Sequence, residues 1–468
     1  MRNWITVVIA QRHPIALWRT VPHCCQELES GQEGVNAHAL AGQFLEVGLL
    51  CWGDVFEITA HDLNKRSPYV AVRLREHEEG QATGPSMGDW VACLRGWHPA
   101  LSKAELAALL PEASLATTNS NRWVRVSNAS LEERNEARRV ASGLQCFLVD
   151  GIIHSTESTT TEVWFKAMGD YLDAHPVEGS VAVRGWKQGG KIKGWSLSGL
   201  SGTLGGMLHD RGNPVDLEQP DHTLALIADG PNASVACGWM EGDGQAAFSN
   251  GERRAGERPY FKPVSLDPML ARLAVNLAAG PVGNGPVVDP MTGTGGFLIE
   301  ASLSGRKAVG LDIHSAMVQG AQANLAWAHG GDLPEHARVR RGDATRLEDA
   351  LPEEWLGNVA GFVLDPPYGR NSHGSMAADS LLEAALISAR KVAARHAGFV
   401  LIVPMHPLDP HPMEALSPTT DIALLNGTWS DLLECIKHCG WAVQSIHAER
   451  VHRSLSRLIL HAKCAPRD

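Results

Sequence analysis

The spacing of apolar and polar positions changes character near residue 268. From Pro286 onward, short apolar runs alternate with stretches of helical period. PVVDP leads into MTGTGGFLIEAS. KAVGLDIH, RVRRGDAT and AGFVLDPPYGR follow in the same style. Strands alternating with helices predict a parallel, doubly wound sheet. The stretch PMLARLAVNLA ahead of it predicts a helix.

The text before this point reads differently. VACLRGW predicts a strand, and Ser102 with Glu105 predicts a capping box ahead of AELAALL. From there to about residue 145 the pattern reads strand, helix, strand, helix. FLVDGIIHS, a helix around EVWFKAMGDYLDAH, SVAVRGW, a helix around LSGLSGTLGGMLHD, and HTLALIA continue the alternation to about residue 240. That order suits a small α+β sandwich. GERRAGERPYFKPVSLDP is rich in Gly, Pro and Arg and has no period, so it reads as a linker. The expected division is a small α+β module or extension of unassigned role over 1–90, a first α+β piece over 91–146, a second over 147–250, the linker over 251–267, and the doubly wound domain over 268–468.

Length and composition narrow the class. A chain of 468 residues has room for about three domains. It contains no apolar run of about eighteen residues, so no membrane span is expected. MRNWITVVIAQRHP is interrupted by Gln11, Arg12 and His13 and reads as a first strand, not a secretory signal. Nine cysteines without a Cys-x-x-Cys pair point to a reducing, cytoplasmic setting. Cys435 and Cys439 have helical spacing and lack a second pair of ligands, so core packing is expected there and no metal. The net charge of −11 argues mildly against a nucleic-acid binder. Local clusters change that picture: Arg184, Lys187, Lys191 and Lys193 crowd one segment, and Arg253, Arg254, Arg258 and Lys262 crowd the linker. Arg370 follows Tyr368, and Arg453 and Arg457 flank a late serine pair.

The strand ends carry the candidate chemistry. Asp289 ends the first strand, and Gly293 and Gly295 follow in the turn, where glycine lets backbone approach a ligand. Asp312 ends the second strand and can accept both hydroxyls of a ribose. Asp343 tips the third and can accept from the amino group of an adenine. Each could instead cap a helix, but three in register describe an adenosyl pocket. The motif lacks the three glycines of a nicotinamide fingerprint. The pattern resembles the class I S-adenosylmethionine-dependent methyltransferases.

Asp-Pro-Pro-Tyr closes the fourth strand at Asp365, Pro366, Pro367 and Tyr368. An exocyclic amine on a nucleobase is a poor nucleophile, because its lone pair is delocalised into the ring. Two acceptors on its N–H bonds, the Asp365 carboxylate and the Pro366 carbonyl, draw the nitrogen toward tetrahedral geometry. The prolines stiffen the corner, and Tyr368 can stack on an extruded base. Asp365 or water can take the proton after transfer.

On these residues the chain resembles the archaeal tRNA guanine-10 N2-methyltransferases over about residues 91–462. The carriers are VVDPMTGTGGFLIEA, VGLDIHSAMVQGAQANL, LDPPYGR, the linker GERPYFKPVSLDPMLARLAVNLA and VHRSLSRLIL. RGNPVDLEQPDHTLALI is similar to the end of a THUMP domain, an RNA-binding module, with a ferredoxin-like piece expected before it. Family members carry Phe-Cys where this chain has Met291 and Thr292, which spares Asp289 and the glycines. The resemblance implies transfer of one or two methyl groups from S-adenosylmethionine to the guanine amino group at tRNA position 10. It assigns the cofactor to Asp289, Gly293, Thr294, Gly295, Asp312, Ile313, Asp343 and Ala344, with Phe261 at the methionine end. Asp365, Pro366, Pro367 and Tyr368 form the catalytic corner. Arg184, Lys187, Lys191, Lys193, Arg254, Arg370 and Arg453 are the expected RNA contacts. A monomer is expected; eukaryotic relatives use a small activating partner. The rival readings are another tRNA or ribosomal guanine, an adenine or cytosine amine in DNA, and an RNA-binding protein with a vestigial pocket.

Overall fold

The computed structural model describes residues 5–6, 56–58, 71–74, 89–95, 97–242, 253–262, 265–366 and 378–466. Two units divide the chain between Ser86 and Met87. In the first, β1 (Ile5–Thr6), β2 (Phe56–Ile58) and β3 (Ala71–Leu74) pair antiparallel in the order β1-β3-β2.

The second unit holds two seven-stranded sheets. Its front half runs β4 (Trp90–Leu94), α1 (Pro99–Leu109), β5 (Ser114–Thr117), β6 (Trp123–Ser127), α2 (Leu131–Val140) and β7 (Leu144–Ser155). It continues with α3 (Thr161–Ala174), β8 (Val181–Gln188), α4 (Leu197–Asp210), β9 (His222–Asp229) and β10 (Ser234–Met240). The sheet order is β5-β6-β4-β7-β10-β9-β8.

Three sequence expectations change here. The stretch after α1 is a hairpin followed by a helix, because the polar turn Thr118–Arg122 joins β5 directly to β6. Ser102 and Glu105 do not start α1. Pro99 fixes the first helical residue, and the His98 ring accepts from the Leu101 N–H at 3.3 Å. The capping box belongs to α2, where Ser130 and Glu133 satisfy each other's backbone. The boundary drawn at residue 146 falls inside β7, whose first half pairs with β4 and second half with β10, so the two α+β pieces share one sheet.

The rear half begins with α5 (Pro268–Ala279), capped by Asp267, which accepts from the Met269 N–H at 2.8 Å. Every residue of α5 but Met269 is buried, because the helix is covered on one side by α1 and on the other by the rear sheet. A polar joint fixes this contact. The buried Glu105 carboxylate accepts from the backbone of Ser142 (2.9 Å) and Gly143 (2.7 Å) and from Asn276 Nδ2 (2.8 Å). Asn276 Oδ1 accepts in turn from Arg306 at 3.1 Å. The front half is thus keyed to the helix that backs the rear sheet.

That sheet comprises β11 (Val287–Asp289), β12 (Ala308–Asp312), β13 (Ala337–Arg341), β14 (Val359–Leu364), β15 (Ala393–Met405), β16 (Trp441–His452) and β17 (Leu455–Cys464). Its helices are α6 (Gly296–Leu303), α7 (Ser315–Ala328), α8 (Leu347–Ala350), α9 (Ala378–Val392) and α10 (Trp429–His438). The order is β13-β12-β11-β14-β15-β17-β16, parallel through β15, with β17 antiparallel to both neighbours. It is the doubly wound sheet anticipated from the sequence, with an antiparallel strand added near one edge. Cys439 is buried, and Cys435 packs beside it against the core of this half.

Candidate functional site

The sheet order puts the four aspartates side by side. β11 lies between β12 and β14, with Asp289 opposite Gly310 and Val288 opposite Phe362. Asp312 ends β12 and Asp343 follows β13. The chain leaves β14 at Asp365 because Pro366 has no N–H to continue the ladder. The carboxyl ends of adjacent parallel strands, on either side of the point where strand order reverses, therefore form one acidic rim.

Asp289 is the least ordinary member. It is 2% exposed, and its Oδ2 has no hydrogen-bond partner. Burial pushes its carboxyl up to about 8. The Thr292 hydroxyl and the Met291 N–H pull the other way, and the charges of Asp365 and Asp312 add to the rise. Only the Met291 contact has hydrogen-bond geometry, a long 3.4 Å to Oδ1. A buried acceptor with nothing to accept costs free energy. It fits a ligand that brings a donor or a positive charge.

Asp312 is half-buried. It accepts from the Gly293 N–H at 3.2 Å and the His314 N–H at 2.9 Å. A carboxylate has about four lone-pair sites, so capacity for hydroxyl donors remains. Ile313 beside it is 53% exposed, an apolar surface at the rim. Asp343 is exposed, and its Oδ1 takes the N–H and hydroxyl of Thr345 at 2.9 and 2.8 Å. Ala344 is buried.

The glycine turn separates two roles. Gly293 has φ +51°, and among the described residues nothing lies within 4 Å of where a Cβ would stand. Gly295 has φ +84° and caps α6, and a Cβ there would come 3.2 Å from the Ala321 Cβ. One glycine faces open space; the other seats the turn against α7.

The linker belongs to the site. Asn324 on α7 is fully buried and accepts from the Tyr260 N–H at 2.8 Å. It donates to the Tyr260 and Thr294 carbonyls at 2.7 and 2.8 Å. The Tyr260 ring covers Gly320, where a Cβ would overlap it. Ser265 Oγ meets Thr294 Oγ1 at 3.2 Å. Phe261 next in line is 50% exposed. Sequence reasoning missed Asn324, since a single Asn in an apolar helix carries no sign of its three partners. Its one legible trace is a buried-face position occupied by an amide.

The basic clusters split. Arg184, Lys187, Lys191, Lys193, Arg254 and Arg453 are exposed, with Arg184 also donating to the Leu217 carbonyl at 2.6 Å. Arg253 and Arg258 of the linker turn inward instead. Arg253 pairs with the buried Glu300 at 3.1 Å, and Arg258 is 4% exposed. Arg457 pairs with Glu449 at 3.3 Å. Pro366 is half-buried beside Asp365, while Pro367, Tyr368 and Arg370 lie outside the described residues. Among the described residues no helix is long and apolar enough to cross a membrane.

Comparison with known proteins agrees with this geometry. The RMKL-like methyltransferase domain family matches residues 255–415. The chain is 36% identical over 192 residues to the tRNA (guanine(10)-N2)-dimethyltransferase of Pyrococcus abyssi, covering 41% of this chain and 54% of that one. It is 32% identical over 286 residues to the enzyme of the same name from Methanothermobacter thermautotrophicus, covering 60% of this chain and 73% of that one. The chain thus spans about half of the first relative and nearly three quarters of the second. Among solved structures, TrmN from Thermus thermophilus aligns with 80% of this chain and 99% of its own, at 20% identity and a TM-score of 0.42.

Proposed function

The chain belongs to the tRNA (guanine(10)-N2)-dimethyltransferase family, and on that footing we propose that it methylates the exocyclic N2 of guanosine 10 in tRNA, once or twice, from S-adenosylmethionine. The observation that carries the reading is the orphaned, buried Asp289 carboxyl beside the open Gly293 turn, on the strand adjacent to Asp365. That arrangement fits a cationic adenosyl ligand. Asp289 would hold its positively charged end, Asp312 its ribose hydroxyls, and Asp343 and Ala344 its adenine, with Ile313 against the ring. The bound cofactor supplies an electrophilic methyl on sulfur.

The catalytic work falls to the end of β14. Asp365 and the Pro366 carbonyl would accept the two N–H bonds of the guanine amine and free its lone pair. The proton then leaves to Asp365 or water, so no strong base is required. Phosphate contacts fall to the exposed cations Arg184 and Lys187 of β8 and Lys191 and Lys193 just after it, with Arg254 and Arg453 in the linker and the rear half. In a chain of net charge −11, a local basic strip carries the affinity, and binding should weaken steeply with salt.

The test is methyl transfer from labelled S-adenosylmethionine to an unmodified tRNA transcript, beside one with adenine at position 10. Label on the first alone, as N2-methylguanosine, is expected. Asp365→Asn should lose transfer and keep tRNA binding. Equal labelling of both transcripts would move the target to another nucleotide. Cofactor binding without any label would point away from tRNA.

A further inference from the structure

We propose that Arg258 forms the subsite for the carboxylate at the amino-acid end of the cofactor, an inference that rests on reading the glycine turn as an S-adenosylmethionine site. Arg258 is 4% exposed, yet its Nε and Nη1 have no hydrogen-bond partner among the described residues. Nη2 reaches the Arg253 carbonyl only at a long 3.5 Å. A buried guanidinium with unmet donors is an expensive arrangement unless something else satisfies it.

The nearby acids are committed elsewhere. The Glu300 oxygens are engaged by Arg253 at 3.1 Å and Arg272 at 3.0 Å. Asp267 accepts the Met269 N–H at the start of α5. Burial draws the Arg258 guanidinium below its ordinary range; the charges of Glu300 and Asp267 oppose this from a distance, and Arg253 adds to it. Arg258 therefore stays a fixed cation without an anion in contact.

Its direction identifies the ligand. A Cβ on Gly296 would stand 3.3 Å from Arg258 Nη1, the one contact that point makes among the described residues outside its own helix. Gly296 is the first residue of α6 and follows Gly295 of the cofactor turn. The free edge of the guanidinium thus borders the N-terminus of α6, where backbone N–H groups and the helix dipole also favour negative charge. The neighbouring Phe261 is half exposed and can cover the same end of the ligand.

The experiment is titration calorimetry of the full chain, without tRNA, with two probes: S-adenosylmethionine and its decarboxylated form. Wild type should prefer the first by about ten- to a hundredfold, the value of a charge-assisted hydrogen bond to a buried partner. Arg258→Met should reduce S-adenosylmethionine to the affinity of the decarboxylated probe and leave that probe unchanged. Arg258→Lys should retain part of the preference, and it carries the test if the Met variant does not fold. No preference in wild type, or equal weakening of both probes by either folded variant, overturns the carboxylate subsite alone. Failure of wild type to bind either probe would instead overturn the cofactor site, and this subsite with it.

Discussion

Asn324 donates through Nδ2 to the Thr294 carbonyl at 2.8 Å, so a fully buried side chain of α7 holds the turn that carries Gly293 and Gly295. The same amide binds both backbone groups of Tyr260. The linker from the front half and the ligand turn of the rear half therefore share one anchor.

Replacing that anchor should act on binding as well as on stability. Asn324→Leu leaves the Tyr260 N–H and two carbonyls without their partner, at a cost on the order of 1–3 kcal/mol for each buried group. The expected result is a lower thermal midpoint together with a loss of about tenfold or more in S-adenosylmethionine affinity, since the turn and Phe261 lose their fixed positions. Calorimetry and thermal unfolding of one preparation read both. A lower midpoint with unchanged affinity would limit Asn324 to stability.

Different parts of this site were legible to different degrees. The aspartates stood out because a strand end followed by a turn is a local pattern, and parallel strands buried on both faces read as apolar runs. The glycines were legible for the same reason. Arg253 and Arg258 were not: charges in a Gly- and Pro-rich stretch look solvated, and only the fold brings Glu300 and α6 to meet them. Ser102 and Glu105 had capping-box spacing, but Pro99 had already begun the helix, which freed Glu105 for the joint with Asn276. β5 was not legible because it is a short, largely exposed edge strand, and β10 because, buried along its whole length, it shows no alternation. Local chemistry was readable; the groups that wrap it depended on long-range contacts.

The two glycines of the turn should respond differently to the same substitution. Both have positive φ, so alanine costs about 1–2 kcal/mol of backbone strain at each. At Gly295 the new methyl also presses on Ala321, and the larger loss of stability is expected there. At Gly293 the methyl meets no atom of the described residues and enters the space expected to hold the ligand. Gly293→Ala should lose only that strain in stability, less than Gly295→Ala, and bind S-adenosylmethionine at least about tenfold more weakly. Thermal unfolding with calorimetry tests this, and normal affinity in Gly293→Ala would place the ligand away from the turn.

With Asp289 at the positively charged end of the proposed cofactor, binding should be a proton-linked event. Its carboxyl lies at about 8 in the folded chain against 3.8 ordinarily, chiefly through burial. Between those values the folded chain holds a proton that the unfolded chain has released. The stability this neutral carboxyl contributes is complete below about pH 4, falls as pH rises, and is gone above about pH 8. The slope cannot exceed about 1.4 kcal/mol per pH unit for one proton. A cationic ligand reverses the preference, because a positive charge beside Asp289 favours the carboxylate. Binding of S-adenosylmethionine near about pH 6.5 should therefore release close to one proton, and affinity should rise with pH by up to about tenfold per unit until about pH 8. Calorimetry in two buffers of different ionisation heat counts the proton directly. Asp289→Asn should abolish the release and flatten the stability profile between about pH 4 and 8. A binding heat independent of buffer in the wild type would mean that Asp289 does not face the charged end of the ligand.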